Sequence, residues 1–124
     1  MYVNIDFNSD EAIYIQLINQ IILSIASSEI NEGDNLPSVR ELADNIGINM
    51  HTVNKAYGVL RQEGYVKLDR RKGAVIAIDS DRLKAKEELY LQLQVLLAKA
   101  ICKNISCEEV HKLVDQIYID FERR

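Results

Sequence analysis

The 124-residue sequence has one proline, no tryptophan, two cysteines and five glycines. So few helix breakers point to a mainly helical chain. No stretch approaches the ~20 uninterrupted apolar residues of a membrane span. The start, Met1-Tyr2-Val3-Asn4-Ile5-Asp6, lacks the basic-then-apolar pattern of an export signal. Two cysteines without such a signal make a reducing cytoplasm the expected location. Catalytic signatures are missing as well: there is no G-x-S-x-G, Walker A, H-E-x-x-H or dinucleotide-binding pattern. That speaks against an enzyme and implies no cofactor.

What is present is ordinary for a globular protein: 48% hydrophobic and 27% charged residues, enough for one domain with a small appendage. The net charge of −4 argues at first against a nucleic-acid partner, but it hides an asymmetry. Residues 1–37 carry six acids and no Lys or Arg, a net of −6. Residues 38–76 carry Arg40, Lys55, Arg61, Lys67, Arg70, Arg71 and Lys72 against Glu41, Asp44, Glu63 and Asp69, a net of +3. The distribution matters more for binding than the total.

Hydrophobic spacing places the elements. Tyr14, Leu17, Ile18, Ile21, Ile22 and Ile25 recur at helical steps within a first helix over about Ser9–Ser28, which Ser9 or Asp10 can cap. Asn31-Glu32-Gly33-Asp34 reads as a turn. Ser38, followed three residues later by Glu41, reads as a capping box opening a helix to about Ile46, with Gly47 as its left-handed stop. Asn49 is a good N-cap for the next helix, about Met50 to Glu63, whose inward stripe is Val53, Ala56, Tyr57 and Leu60. Two short helices joined by Gly47-Ile48-Asn49 have the helix-turn-helix layout, although the spacing alone fits any two packed helices of a small bundle.

After Gly64 the period drops toward two. Tyr65–Asp69 reads as a strand, Arg70-Arg71-Lys72-Gly73 as a hairpin tip, and Ala74–Ile78 as the returning strand. A hairpin directly after the second helix of the pair is a wing. Residues 1–78 therefore form a winged helix-turn-helix domain by this reading. Residues 79–124 form a tail of two amphipathic helices, about Asp81–Lys103 and, from a second capping box at Ser106, to about Glu122. Such a tail cannot bury both apolar stripes by itself and needs a partner surface, either the winged domain or its own copy.

Duplex DNA demands Lys and Arg against phosphates, together with helix N-termini and backbone N–H groups. Arg40 stands in the first turn of its helix, where a cation opposes the helix dipole, a placement that hints at an external anion. Ser38 and the same helix N-terminus complete a phosphate anchor. Asn49, Met50, His51, Thr52, Asn54 and Lys55 are left facing outward at the start of the second helix, the end a recognition helix inserts into the major groove. In that setting Asn54 suits an adenine edge and Met50 a thymine methyl, while Thr52 and Lys55 suit phosphates and His51 a phosphate or a base. The densest basic run, Arg70-Arg71-Lys72-Gly73, repels itself at a hairpin tip and has a natural use against phosphate or the minor groove. Cys102, Cys107 and His111 are the other chemical cluster. Cys107 and His111 are four apart on one helix, a possible ligand spacing, but no fourth ligand is evident. A metal- or thiol-responsive sensor thus stands as the alternative reading, beside a winged module serving only protein–protein assembly.

The residues Leu36-Pro37-Ser38-Val39-Arg40-Glu41-Leu42-Ala43, Gly47-Ile48-Asn49, Thr52-Val53, Lys55-Ala56-Tyr57, Leu60 and Glu63-Gly64 resemble the winged-helix domain of GntR-family transcription regulators. Ile13-Tyr14-Ile15-Gln16 resembles that family's first-helix signature, and the short two-helix tail is similar to that of the YtrA subfamily. The resemblance implies a homodimer, joined through the tail helices, that binds a roughly palindromic double-stranded operator, usually as a repressor. It leaves any small-molecule effector unspecified. It also assigns DNA contacts to Arg40, to Asn49, Met50, His51 and Thr52, to Asn54 and Lys55, and to the wing Arg70, Arg71, Lys72 and Gly73. Two departures stand out. Many members of other subfamilies carry Arg where Met50 and Asn54 stand, which implies a different operator. The wing has Arg71-Lys72-Gly73 in place of the common Gly-x-Gly.

Overall fold

The computed structural model describes residues 3–123. Its elements run α1 (Ile13–Ala26), α2 (Val39–Ile46), α3 (Met50–Gln62), β1 (Val66–Asp69), β2 (Gly73–Ile76), α4 (Arg82–Cys102) and α5 (Cys107–Glu122). The chain divides into two compact units, Met1–Asp79 and Ser80–Arg124. Among the described residues no helix is long and apolar enough to cross a membrane.

The first unit is built around α3, which packs against α1, α2 and β1. Val53, Ala56, Tyr57 and Leu60 form its buried stripe. They meet Leu17, Ile18 and Ile21 of α1, Leu42 and Ala43 of α2, and Val66 and Ile76 of the hairpin in one hydrophobic core. Burying these side chains is the main source of stability in a unit this small.

The helix boundaries follow from local chemistry. The first helix starts later than the spacing predicts. Ala12 occupies its N-cap without a side-chain bond, and the Ser9 hydroxyl accepts instead from the Glu11 N–H. Residues before it are held from the side. Gln16 donates to the carbonyls of Asp6 and Glu11 and accepts from the Asp6 N–H, and the Gln20 carboxamide pairs with both backbone groups of Asn4. At α2 half of the expected capping box forms: the Ser38 hydroxyl accepts from the Glu41 N–H at 3.1 Å, and no return bond from the Glu41 carboxylate is made. Gly47 ends α2 at φ 70°, in the left-handed region that a side chain resists. Gly64 is constrained twice. It closes α3 at φ +85°, and a Cβ placed there would lie 2.8 Å from Cβ of Asp79.

The hairpin pairs Val66 with Ile76, Lys67 with Val75, Leu68 with Ala74 and Asp69 with Gly73. Gly73 is therefore the first residue of β2 and not part of the tip, which corrects the expectation from sequence. The hairpin also gains a third segment. Residues 33–36, of which Gly33 and Asp34 read as part of a turn, lie along β2 through bonds from Gly33 N–H to the Ile76 carbonyl, from Ile76 N–H to the Asp34 carbonyl, and from Leu36 N–H to the Ala74 carbonyl, with a bridge between Asn35 and Val75.

The second unit has the two helices the tail pattern predicts. Asp81 caps α4 by accepting from the Lys84 N–H, and Asn104, at φ 61°, ends the helix so that Ile105 N–H reaches the Ala100 carbonyl. Ser106 and Glu109 form a complete capping box at α5. Neither helix has a buried residue, and Leu89, Leu93, Leu96, Leu97, Leu113 and Ile117 are all exposed.

Candidate nucleic-acid interface

The start of α2 is a rigid corner. The Tyr57 hydroxyl of α3 donates to the Pro37 carbonyl at 2.8 Å, fastening the turn before Ser38 to the middle of α3. Burial, and then the nearby Glu41 charge, push the Tyr57 hydroxyl well above its ordinary range, so it stays a donor. Arg40, one residue into α2, is exposed and forms no ion pair among the described residues.

Asn49 is committed structurally: its side-chain oxygen accepts from the His51 N–H at 2.7 Å, capping α3. Met50, His51 and Asn54 project into solvent as expected. Thr52 does not fully do so. It is half-buried, because it lies one turn before Ala56 at the edge of the inward stripe. Lys55 is exposed, but its ammonium lies 3.9 Å from the centre of the Tyr14 ring on α1, a cation–π contact that fixes where its charge sits.

The wing tip is locked by two polar side chains that periodicity could not assign. The Asp69 carboxylate accepts from the N–H groups of Arg71 and Lys72 at 2.8 and 3.0 Å. These bonds hold its carboxyl below the usual range. From the neighbouring segment, the Asn35 amide donates to the Lys72 carbonyl at 2.9 Å. The tip backbone is thereby fixed while the side chains of Arg70, Arg71 and Lys72 stay exposed, with no ion pair among the described residues. Like charges are held together and left without partners, an arrangement suited to an external anion.

Three of the sequence-predicted residues meet in one place. An open cleft of about 400 Å³ between the start of α2, the side of α3 and the hairpin is lined by Ser38, Asn54 and Gly73. Tyr57, Gly58, Arg61 and Leu68 also line it. Sequence reasoning missed Arg61 and Gly58, although a signal was there: Asn54, Gly58 and Arg61 are spaced i, i+4, i+7 and share a helix face. Cys107 Sγ and His111 Nε2 lie 3.7 Å apart at the start of α5. Both cysteines are exposed and free. Among the described residues no three His, Cys, Asp or Glu side chains group so as to hold a metal ion.

A two-helix turn whose second helix forms the centre of the core, followed directly by a hairpin with a fixed cationic tip, defines a winged helix-turn-helix protein. The profile of the gntR family of bacterial regulatory proteins matches residues 13–76. The chain is 32% identical over 121 residues to the HTH-type transcriptional repressor YtrA of Bacillus subtilis (strain 168), covering 95% of this chain and 93% of that protein. Among solved structures it is similar to a transcriptional antiterminator from Listeria monocytogenes EGD-e, with TM-score 0.85 and 31% identity over 98% of this chain and 92% of that one. It is also similar to YtrA from Sulfolobus acidocaldarius, a GntR-family transcription factor, with TM-score 0.59 and 36% identity over 95% and 97% of the two chains. The chain belongs to the GntR family of bacterial regulatory proteins, and its likeness to YtrA extends over nearly its whole length. Its relatives are transcription regulators rather than enzymes.

Proposed function

We propose that this regulator represses transcription by binding a palindromic double-stranded operator as a homodimer. The observation that carries the reading is the cleft that joins Ser38, Asn54 and Gly73 at the foot of a rigid, unpaired cationic wing tip. In this reading Ser38, the free N–H groups of the α2 N-terminus and Arg40 hold a phosphate. The start of α3, from Asn49 through Met50, His51 and the half-buried Thr52 to Asn54, enters the major groove, and Asn54 reads a base edge. Lys55 reaches a phosphate once it leaves the Tyr14 ring. Arg70, Arg71 and Lys72, beside Gly73, hold the flanking backbone or the minor groove. Residues 1–78 act as the DNA-binding domain and residues 79–124 as the dimerisation tail. The bare apolar faces of α4 and α5 support pairing with a second copy, since exposed patches of this extent mark interaction sites. An assembly-only winged module would call for an apolar tip, whereas this one is cationic.

Titration of the chain against the duplex upstream of its own gene, at several salt concentrations, tests the proposal. Tight binding with a steep salt slope is expected, and a footprint with two-fold symmetry. Arg40→Ala should weaken binding to specific and random duplexes alike and lower the slope by about one. A chain whose duplex affinity is independent of salt would overturn the reading.

A further inference from the structure

Gly58 sits in the interior of α3 without a structural reason for being glycine. Its backbone is ordinary helix, with no left-handed φ to demand it, and a Cβ placed there would meet nothing within 4 Å. Glycine is among the poorest residues for a helix interior. Neither a special backbone conformation nor a close neighbour among the described residues therefore requires it. What remains is the close approach of something outside the chain. Gly58 faces the cleft, between Asn54 one turn before it and Arg61 one turn after it. Arg61 is exposed and has no ion pair among the described residues. The helix dipole accounts for a cation in the last turn of α3, but not for a missing side chain in the same row.

We infer that the Gly58–Arg61 edge of α3 seats a sugar-phosphate strand of the bound duplex, Gly58 by giving it room and Arg61 by pairing with a phosphate. This rests on the DNA-binding reading above and extends the interface along α3, beyond its N-terminal turn. From Asn54 to Arg61 is about 10 Å along the helix axis, roughly three base-pair steps of duplex rise. The strand would lie between α3 and the hairpin, where the cleft is open and is lined by Leu68 and Gly73. A contact to backbone carries no base information, so its loss affects every sequence equally.

The test compares Gly58→Ala, Gly58→Gln and Arg61→Gln in the full chain, measured by fluorescence anisotropy on the upstream duplex and on a random one. Gly58→Ala should raise the melting temperature by about 3 °C, because the helix gains propensity where space is open. It should nevertheless lower affinity about threefold on both duplexes, and Gly58→Gln more than about tenfold, as bulk grows against the strand. Arg61→Gln should lower affinity about fivefold and the salt slope by about one. The inference is overturned if folded Gly58→Gln binds like the parent, if Arg61→Gln keeps the full slope, or if the losses fall on one sequence only. The Arg40→Ala control separates the two claims: should that variant weaken binding while the Gly58 and Arg61 variants do not, only this inference fails. Should the parent chain itself bind without salt dependence, the DNA-binding reading falls too.

Discussion

The two units are built from helices of the same amphipathic kind and have opposite fates. In the first, α1, α2 and α3 turn their apolar stripes toward one another and toward the hairpin, and Leu17, Ile21, Val53 and Leu60 lose all contact with solvent. In the second, α4 and α5 also carry apolar residues at helical spacing, yet Leu89, Leu96, Leu113 and Ile117 are each more than half exposed. The difference teaches that an apolar stripe records a need for a partner without saying which partner. The winged unit meets that need within its own chain. The tail has too few elements to do so, and the homodimer proposed above is the economical answer.

The sharpest way to break this comparison is to cut matched leucines. Leu60→Ala should cost the winged unit about 3 kcal/mol in denaturant unfolding, at any protein concentration, because it opens a cavity in a closed core. Leu113→Ala, at 58% exposure in the single chain, should leave the stability of the dilute chain nearly unchanged and weaken self-association in sedimentation experiments. If both variants act alike and independently of concentration, the contrast between the units is wrong.

A smaller effect is expected at the corner between α2 and α3. Tyr57→Phe removes the bond to the Pro37 carbonyl and should cost about 1 kcal/mol. The native state holds this hydroxyl's proton more tightly than the unfolded chain does. Its contribution is therefore complete below about pH 10 and is lost as pH rises beyond it. The parent should lose stability on that alkaline limb, and the Phe variant should lose less, as read by unfolding at a series of pH values.

The smallest effect belongs to the wing tip. Asp69→Asn weakens the acceptor that holds the Arg71 and Lys72 N–H groups, and should lower duplex affinity about threefold with little change in melting temperature, since it frees the tip before binding. The Asp69 carboxyl is held low in the folded chain. Its stabilising bonds are thus present at neutral pH and lost as pH falls below the ordinary carboxylate range. The protection of the Arg71 and Lys72 amides from solvent exchange, relative to an unstructured chain at the same pH, should fall along that acid limb in the parent only.

Much of the architecture was legible in the residues. Val53, Ala56, Tyr57 and Leu60 announce the inward face of α3 by spacing, and Gly47, Gly64 and Ser106 mark helix ends by local chemistry that needs no distant partner. The outward set at Met50, His51 and Asn54 follows from the same periodicity. What stayed hidden depends on residues far apart in the chain. Asn35 reaches Lys72 across 37 positions, and Gln20 holds Asn4 across 16. Lys55 reads as a free cation and is instead stacked on Tyr14. Gly73 looks like the apex of a turn and is a ladder residue, because Asp69 closes the tip one position earlier than the glycine suggests.

By itself, then, the order of residues determined the helices, the caps of α2, α3 and α5, the hairpin and the family, since each depends on periodicity or on bonds within a few positions. Tertiary structure alone decided which polar groups lock the wing tip, where the Lys55 charge rests and that Ser38, Asn54 and Arg61 face one cleft. The physical reason is range: backbone propensity and capping act over one or two turns, whereas side-chain bonds and packing join whatever the folded chain brings within about 4 Å.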